Sequence, residues 1–162
     1  NRMKIKSYSV SMPNKDIVVW DSKFEIKIPF IDAQHKKLIE LCNNLHKAII
    51  AMPDSSGVVV DDWQDSLLNA LRECVDYTQT HFRNEENLMQ AAGFVGFTQH
   101  KSFHTAFVKK ILETAKSFEK KDKISALRFV YFLYDWILEH IAYKDKLYVK
   151  YVLEYYQKTN QS

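Results

Sequence analysis

Two histidines, His100 and His104, stand four residues apart in the stretch QHKSFH. On an α-helix, at about 100° of rotation per residue, that spacing sets both imidazoles on one stripe, a turn apart. Such a pair can clamp a metal ion or can be an exposed polar pair, and a two-residue motif does not decide between them. Glu85 follows His81 by the same interval in HFRNE and shares its helical face, whereas Glu86 is rotated off it. Asp145 follows His140 by five in HIAYKD. A regular helix points that side chain well aside, so periodicity does not select it; a wide turn or an ending helix is required to bring it round.

The elements that must position these groups are read from apolar periodicity. From about Asp32 to Ala51, Leu38, Leu41, Leu45 and Ile49 recur at three and four, the mark of one buried helical stripe. After the loop PDSSG, a second helix is predicted from about Asp61 to Ala92 on Trp63, Leu67, Leu71, Cys74, Val75, Phe82 and Leu88, closed by Gly93 and Gly96. A third runs from about Thr98 to Lys121, carries Phe103, Phe107, Val108, Ile111, Leu112, Ala115 and Phe118, and ends in EKKDK. The fourth extends from near Ile124 to about Tyr143 with Leu127, Val130, Leu133, Trp136 and Ile137. Helices of similar length with short connections pack antiparallel, so the expected fold is all-α: an up-down-up-down four-helix bundle. Residues 1–18 form a polar, weakly patterned N-terminal arm and residues 19–162 the bundle domain, with YVKYVLEYYQKTNQS as a short C-terminal helical extension capping its end or offering a contact surface.

Alternating helix directions bring the start of the first helix, the end of the second, the start of the third and the end of the fourth to the same end of the bundle. His35, His81, His100, His104 and His140 therefore share one layer, and only His46 falls elsewhere. A random scatter would not do this, so the metal reading of QHKSFH gains weight. Imidazole and carboxylate suit iron, zinc, copper and nickel alike.

Composition excludes several other classes. The formal charge of +3 is mild and its lysines are interleaved with acids, which implies no nucleic-acid groove. Runs such as IAYKDKLYVKYV are broken by lysines too soon for membrane insertion, and no secretory pattern is present, so a cytoplasmic location is expected. The two cysteines lack a CxxC or finger spacing. Cys42 is seven after His35 and Cys74 seven before His81, so both fall on the inner face at one level. They read either as small buried hydrophobes or as a redox-responsive thiol pair. His46 reads as a core histidine, and Tyr77 as a packed ring or as a hydrogen-bond donor behind the histidine layer.

Taken together, IDAQHKKL around His35, HFRNEE with His81 and Glu85, the HxxxH of His100 and His104, and WILEHIAYKDKLY with His140 and Asp145 resemble the hemerythrin family, in particular its bacterial hemerythrin-like domains. The resemblance runs from about Trp20 to Tyr148, and none of the seven positions departs from the family pattern. It implies a cofactor of two iron ions (Fe2+/Fe3+) with an oxo or hydroxo bridge. His100, His104 and His140 would hold one iron, His35 and His81 the other, and Glu85 and Asp145 would bridge them. One coordination position, on the two-histidine iron, would stay open to molecular oxygen. Leu38, Phe82, Trp136, Ile137 and Ile141 match the family's apolar oxygen pocket, although ordinary core packing accounts for the same residues. The implied function is reversible oxygen binding for carriage or storage. A sensor module acting on a signalling partner is the alternative. A peroxidase or nitric-oxide-handling enzyme fits less well, because the sequence offers no dedicated acid, base or substrate pocket.

Overall fold

The computed structural model describes residues 15–52, 62–117 and 123–161. The arm up to residue 14, the PDSSG loop, Phe118 and most of the EKKDK run lie outside the described residues. Five α-helices follow one another: α1 Pro29–Ile50, α2 Asp62–Ala91, α3 Phe97–Ser117, α4 Lys123–Glu139 and α5 Val149–Thr159. The first four make the antiparallel bundle, with α1 packed on both α2 and α4, and α2 on α3. No described helix is long and apolar enough to cross a membrane.

Helix α1 starts three residues before the Asp32 expected from periodicity, because Pro29 occupies its first turn. Proline is well suited there: its φ is already helical and its missing N–H would have had no partner. Asp32 is thus inside the helix, where its carboxylate accepts a 2.9 Å hydrogen bond from the Ile26 N–H and ties down the incoming chain. That incoming segment leaves a 3₁₀ turn at Ser22–Phe24 and passes through Lys27 at φ +63°, burying Phe24, Ile26 and Ile28 and leaving Glu25 and Lys27 in solvent. At the far end of α2, Gly93 takes φ +66°, and the Phe94 and Gly93 N–H groups bond back to the Met89 and Gln90 carbonyls. This paired closure needs a left-handed residue just past the helix, which glycine adopts without Cβ strain.

The fourth helix departs most from expectation. Instead of continuing to Tyr143, α4 stops at Glu139 and widens into a five-residue π turn, His140–Lys144, followed by a tight 3₁₀ turn, Asp145–Leu147, that leads into α5. The apolar interior is divided accordingly. A large core built on Leu45, Ile49, Phe107, Ile111, Phe129, Val130 and Leu133 fills the body of the bundle. A smaller one, of Ile26, Ile28, Ile31, Met89, Tyr148 and Val152, closes the end where α5 packs on α2. The C-terminal extension is therefore a lid over the histidine end, through Tyr148 and Val152.

Residues at the end of the expected N-terminal arm are part of this architecture. The buried Asn43 side chain accepts from the Ile17 and Val18 N–H groups and from the Tyr134 hydroxyl, and donates to the Val18 carbonyl at 2.8 Å. Replacing it strands several polar groups at once. Asn43→Ala is expected to lower unfolding free energy by about 2–3 kcal/mol, since each orphaned buried group costs about 1–3 kcal/mol. Denaturant titration measures this, and a loss under about 0.5 kcal/mol, typical of a surface change, would contradict the assignment.

Candidate metal centre

Between the two apolar cores lies a layer of seven polar side chains that is almost completely dry. His35, Glu85 and Asp145 have no exposed surface, and His81, His100, His104 and His140 have 1–4 %. Their ligand atoms form two groups that share both carboxylates: His100, His104 and His140 with Glu85 and Asp145, and His35 and His81 with the same two acids.

The three-histidine group has a geometry that hydrogen bonding cannot explain. His140 Nε2 lies 3.0 Å from the Nε2 atoms of both His100 and His104, and 3.0 Å from Asp145 Oδ1. A ring nitrogen carries at most one proton, so it can satisfy at most one of these three neighbours. A metal ion satisfies all of them. Donors about 2.1 Å from an ion and 90° apart are separated by about 3.0 Å, whereas tetrahedral donors are about 3.4 Å apart. The three edges at His140 match the octahedral case, while His100–Asp145 Oδ1 at 3.3 Å and His104–Glu85 Oε2 at 3.4 Å are longer.

The two-histidine group is looser. His35 Nε2 is 3.1 Å from Asp145 Oδ2 and 3.6 Å from Glu85 Oε1, while His81 Nε2 is 3.4 Å from Glu85 Oε2. Proximity here is not pairing: both His35 ring nitrogens, Glu85 Oε2 and both Asp145 oxygens are buried without a hydrogen-bond partner. Burying such atoms unsatisfied is costly, and a cation between them removes the cost. Asp145 divides its oxygens cleanly, Oδ1 toward His100 and His140 and Oδ2 toward His35. Glu85 Oε2 is equidistant, at 3.4 Å, from His81 and His104. Both acids are thus placed to span two ions.

The π turn explains how Asp145 arrives. Its N–H bonds to the His140 carbonyl, closing a ring one residue wider than an α turn. Five residues then complete a turn, and the side chain that regular periodicity sends aside lies over His140.

A second layer orients these groups. Gln34 Oε1 lies 2.9 Å from His81 Nδ1, so the ring proton sits on Nδ1 and the Nε2 lone pair faces inward. Glu86 Oε1 does the same for His104 at 3.1 Å, and its other oxygen pairs with Lys101 at 3.1 Å. Glu86 is off the His81 face, as its spacing requires, and approaches His104 from outside. The Tyr148 hydroxyl donates to Glu85 Oε1 at 2.6 Å, so the tyrosine behind the layer is Tyr148, while Tyr77 is a half-buried ring against the main core. No intrahelical spacing announces Gln34, Glu86 or Tyr148, because each acts across a helix pair. His46 lies against the Tyr131 ring, outside both groups.

Aromatic rings brace the three-histidine side. Phe82 stacks on His104 at 3.8 Å with planes 2° apart, and Trp136 stacks on His140 at 4.3 Å and on Phe107 at 3.7 Å. Two surface grooves, of about 320 and 250 Å³, reach the outer faces of His104 and His140 respectively. Leu38, Ile137 and Ile141 are buried; Leu38 follows His35 by three residues on α1 and Ile141 adjoins His140.

Residues 27–152 match the family model described as the hemerythrin HHE cation binding domain. The chain is 35 % identical over 151 residues to a bacteriohemerythrin of Stenotrophomonas maltophilia (strain R551-3), covering 90 % of each chain. It is 27 % identical over 133 residues to a hemerythrin of Sipunculus nudus, covering 82 % of this chain and 92 % of that one. A crystal structure of wild-type hemerythrin superposes with a TM-score of 0.69 at 26 % identity, over 83 % of this chain and 97 % of that one.

Charge balance in the metal-free layer gives a pH signature. Burial opposes charge on His35, but the adjacent Asp145 and Glu85 carboxylates prevail and raise its pKa from 6.5 to about 9. Burial drives His81 down to about 4, against the pull of Glu85. Burial pushes both acids up, and for Glu85 the neighbouring Asp145 adds to it, yet the imidazoles, His81 foremost for Glu85 and His140 for Asp145, hold them below the usual carboxylate range. Between pH 6.5 and 9 the folded state holds the His35 proton that the unfolded chain releases, so stability falls as pH rises. Below 6.5 the unfolded chain protonates at His81 while the folded one does not, so stability falls as pH drops toward 4. The metal-free protein is therefore expected to be most stable near pH 6.5, losing on the order of 2 kcal/mol on each side. Bound metal takes the place of the His35 proton and should flatten the alkaline limb. Melting temperature against pH, with and without chelator, checks this; identical curves would rule it out.

Proposed function

The chain belongs to the hemerythrin family, and from that premise we propose that it binds molecular oxygen reversibly at a non-heme di-iron centre. His100, His104 and His140 would hold one iron, His35 and His81 the other, and Glu85 and Asp145 would bridge the pair. The observation that carries this reading is the division of the Asp145 carboxylate between the two histidine groups, 3.0 Å from His140 on one oxygen and 3.1 Å from His35 on the other. When bound, the iron pair, Fe2+/Fe3+ with an oxo or hydroxo bridge, supplies redox chemistry and an open position for a diatomic ligand.

The chain's own residues do the rest. The histidine-to-carboxylate ratio keeps the site rich in neutral nitrogen donors, which favours the lower oxidation state over a strongly oxidising one. Gln34 and Glu86 fix the tautomers of His81 and His104, so that each ring keeps its inward lone pair. Tyr148 holds Glu85 in place through its oxygen nearest His35. Ile31, Met89 and Val152 above the layer, with the main core below, exclude water from the two-histidine side, where Leu38 stands one turn from His35. Dryness is what reversibility needs, because water and protons promote loss of the bound gas in a reduced form. Leu38, Phe82, Trp136, Ile137 and Ile141 are assigned to this barrier; Phe82 and Trp136 serve it from the three-histidine side, where they also pin the rings.

No side chain in the layer would be free to act as a general acid or base on a substrate, since each carboxylate and each inward nitrogen would be committed to the metal. We therefore assign carriage or storage of oxygen, not turnover.

Removing one ligand tests the site. His100→Ala is expected to drop iron content well below a full pair per chain and to lower the melting temperature, because its former partners remain polar and unpaired in the core. Unchanged iron stoichiometry by elemental analysis would refute the ligand set. For the function, alternating oxygen and argon over the reduced protein should give a coloured adduct that appears and disappears over many cycles. Rapid, irreversible conversion to the ferric form on first exposure would instead count against oxygen carriage.

A further inference from the structure

Below the metal layer, toward the middle of the bundle, two thiols face each other across the seam between α1 and α2. Cys42 Sγ and Cys74 Sγ are 3.7 Å apart, and each residue is 1 % exposed. Both belong to the main apolar core that also contains Phe82, and Tyr134 of α4 is close enough for its hydroxyl to feel both sulfurs. We propose that Cys42 and Cys74 are a two-electron thiol/disulfide couple that is oxidised by hydrogen peroxide and cross-links α1 to α2. This goes beyond the oxygen-binding reading and does not rest on it.

Geometry separates this pair from ordinary small core residues. A disulfide has an S–S distance of about 2.05 Å, so closure requires the sulfurs to approach by about 1.7 Å, within reach of small side-chain rotations. The two side chains already point at one another from neighbouring antiparallel helices. In the reduced state each thiol is the other's hydrogen-bond partner. This contact, and then burial, hold the Cys42 thiol well above its usual range, so little thiolate is present while the core is closed. A buried neutral thiol is a poor target for a bulky charged oxidant such as oxidised glutathione, which must dock to exchange. Hydrogen peroxide is neutral and nearly water-sized, and it can enter on local opening of the core.

The chemistry balances without any further reagent. On local opening one thiol gives up its proton and, as thiolate, attacks a peroxide oxygen; the O–O bond breaks, the sulfur becomes a sulfenic acid, and the released hydroxide takes up that proton and leaves as water. The second sulfur then attacks the first, the S–O bond breaks, the S–S bond forms and a second water leaves. In total two thiols and one peroxide give one disulfide and two waters, with both thiol protons carried away in the waters. The bond joins the two helices that carry His35, His81 and Glu85, so the oxidised form would hold that half of the metal layer together more firmly.

The test treats the protein as isolated with a few equivalents of hydrogen peroxide, quenches with catalase, and blocks remaining thiols after unfolding. The expected result is an intact mass lower by about 2 Da, a Cys42–Cys74 cross-linked peptide before reduction, and full reversal by dithiothreitol. The oxidised form should melt roughly 5 °C or more above the reduced one. Oxidised glutathione over the same time should convert at least about tenfold less. Cys74→Ser should form no intramolecular bond and instead leave Cys42 as a sulfenic acid trapped by dimedone. Two free thiols persisting after peroxide, a mixed disulfide with glutathione, or a cross-link only between chains would each overturn the proposal.

Discussion

The structure is organised around one electrostatic demand: two carboxylates and five imidazoles are buried at a single level, and nothing in the protein alone neutralises them. Taking each acid out of water costs several kcal/mol, and placing the two side by side adds repulsion. Protons can meet part of the demand, as the raised His35 shows, but His81 is driven the other way and four inward atoms, His35 Nε2, Glu85 Oε2 and both Asp145 oxygens, stay without hydrogen-bond partners. Cations placed between the donors would satisfy all four inward atoms. A layer that is costly when empty and satisfied when filled is a layer whose folding and loading are coupled.

That demand accounts for the features around it. The lid formed by Ile26, Ile28, Ile31, Met89, Tyr148 and Val152 keeps water from hydrating the donors and so from relieving the need for metal. The π turn after Glu139 gives up a regular helix end in order to place Asp145 between the two histidine groups. Such wide turns recur at functional sites, and here the turn sets Asp145 where it could span two ions. Gln34, Glu86 and Tyr148 act on the outer atoms of the ligands, so the inner atoms keep their lone pairs for the centre.

The two halves of the layer are unequal. The three-histidine side is tight, with 3.0 Å edges, stacked rings against His104 and His140, and grooves reaching its outer faces. The two-histidine side is wider and fully enclosed, with His35 and Glu85 at 3.6 Å. A rigid, braced side next to a looser sealed one is the asymmetry on which the proposed binding of a small ligand at the two-histidine side rests.

Much of this is present in the amino-acid order. Apolar residues at three and four fix four helices, and alternation of direction then sends His35, His81, His100, His104 and His140 to one end, because both are properties of helix geometry that need no partner. Glu85 is legible for the same reason, being one turn from His81. What lies across helices is not legible. Gln34, Glu86 and Tyr148 reach groups on other elements; for Cys42 and Cys74 the shared inner level is legible from their spacing to His35 and His81, and only the 3.7 Å contact is decided by how α1 and α2 pack. Asp145 marks the boundary: its type invites a metal role, yet its spacing denies one on a regular helix. Only a local widening of the backbone, favoured by the ligand sphere it completes, turns that side chain inward.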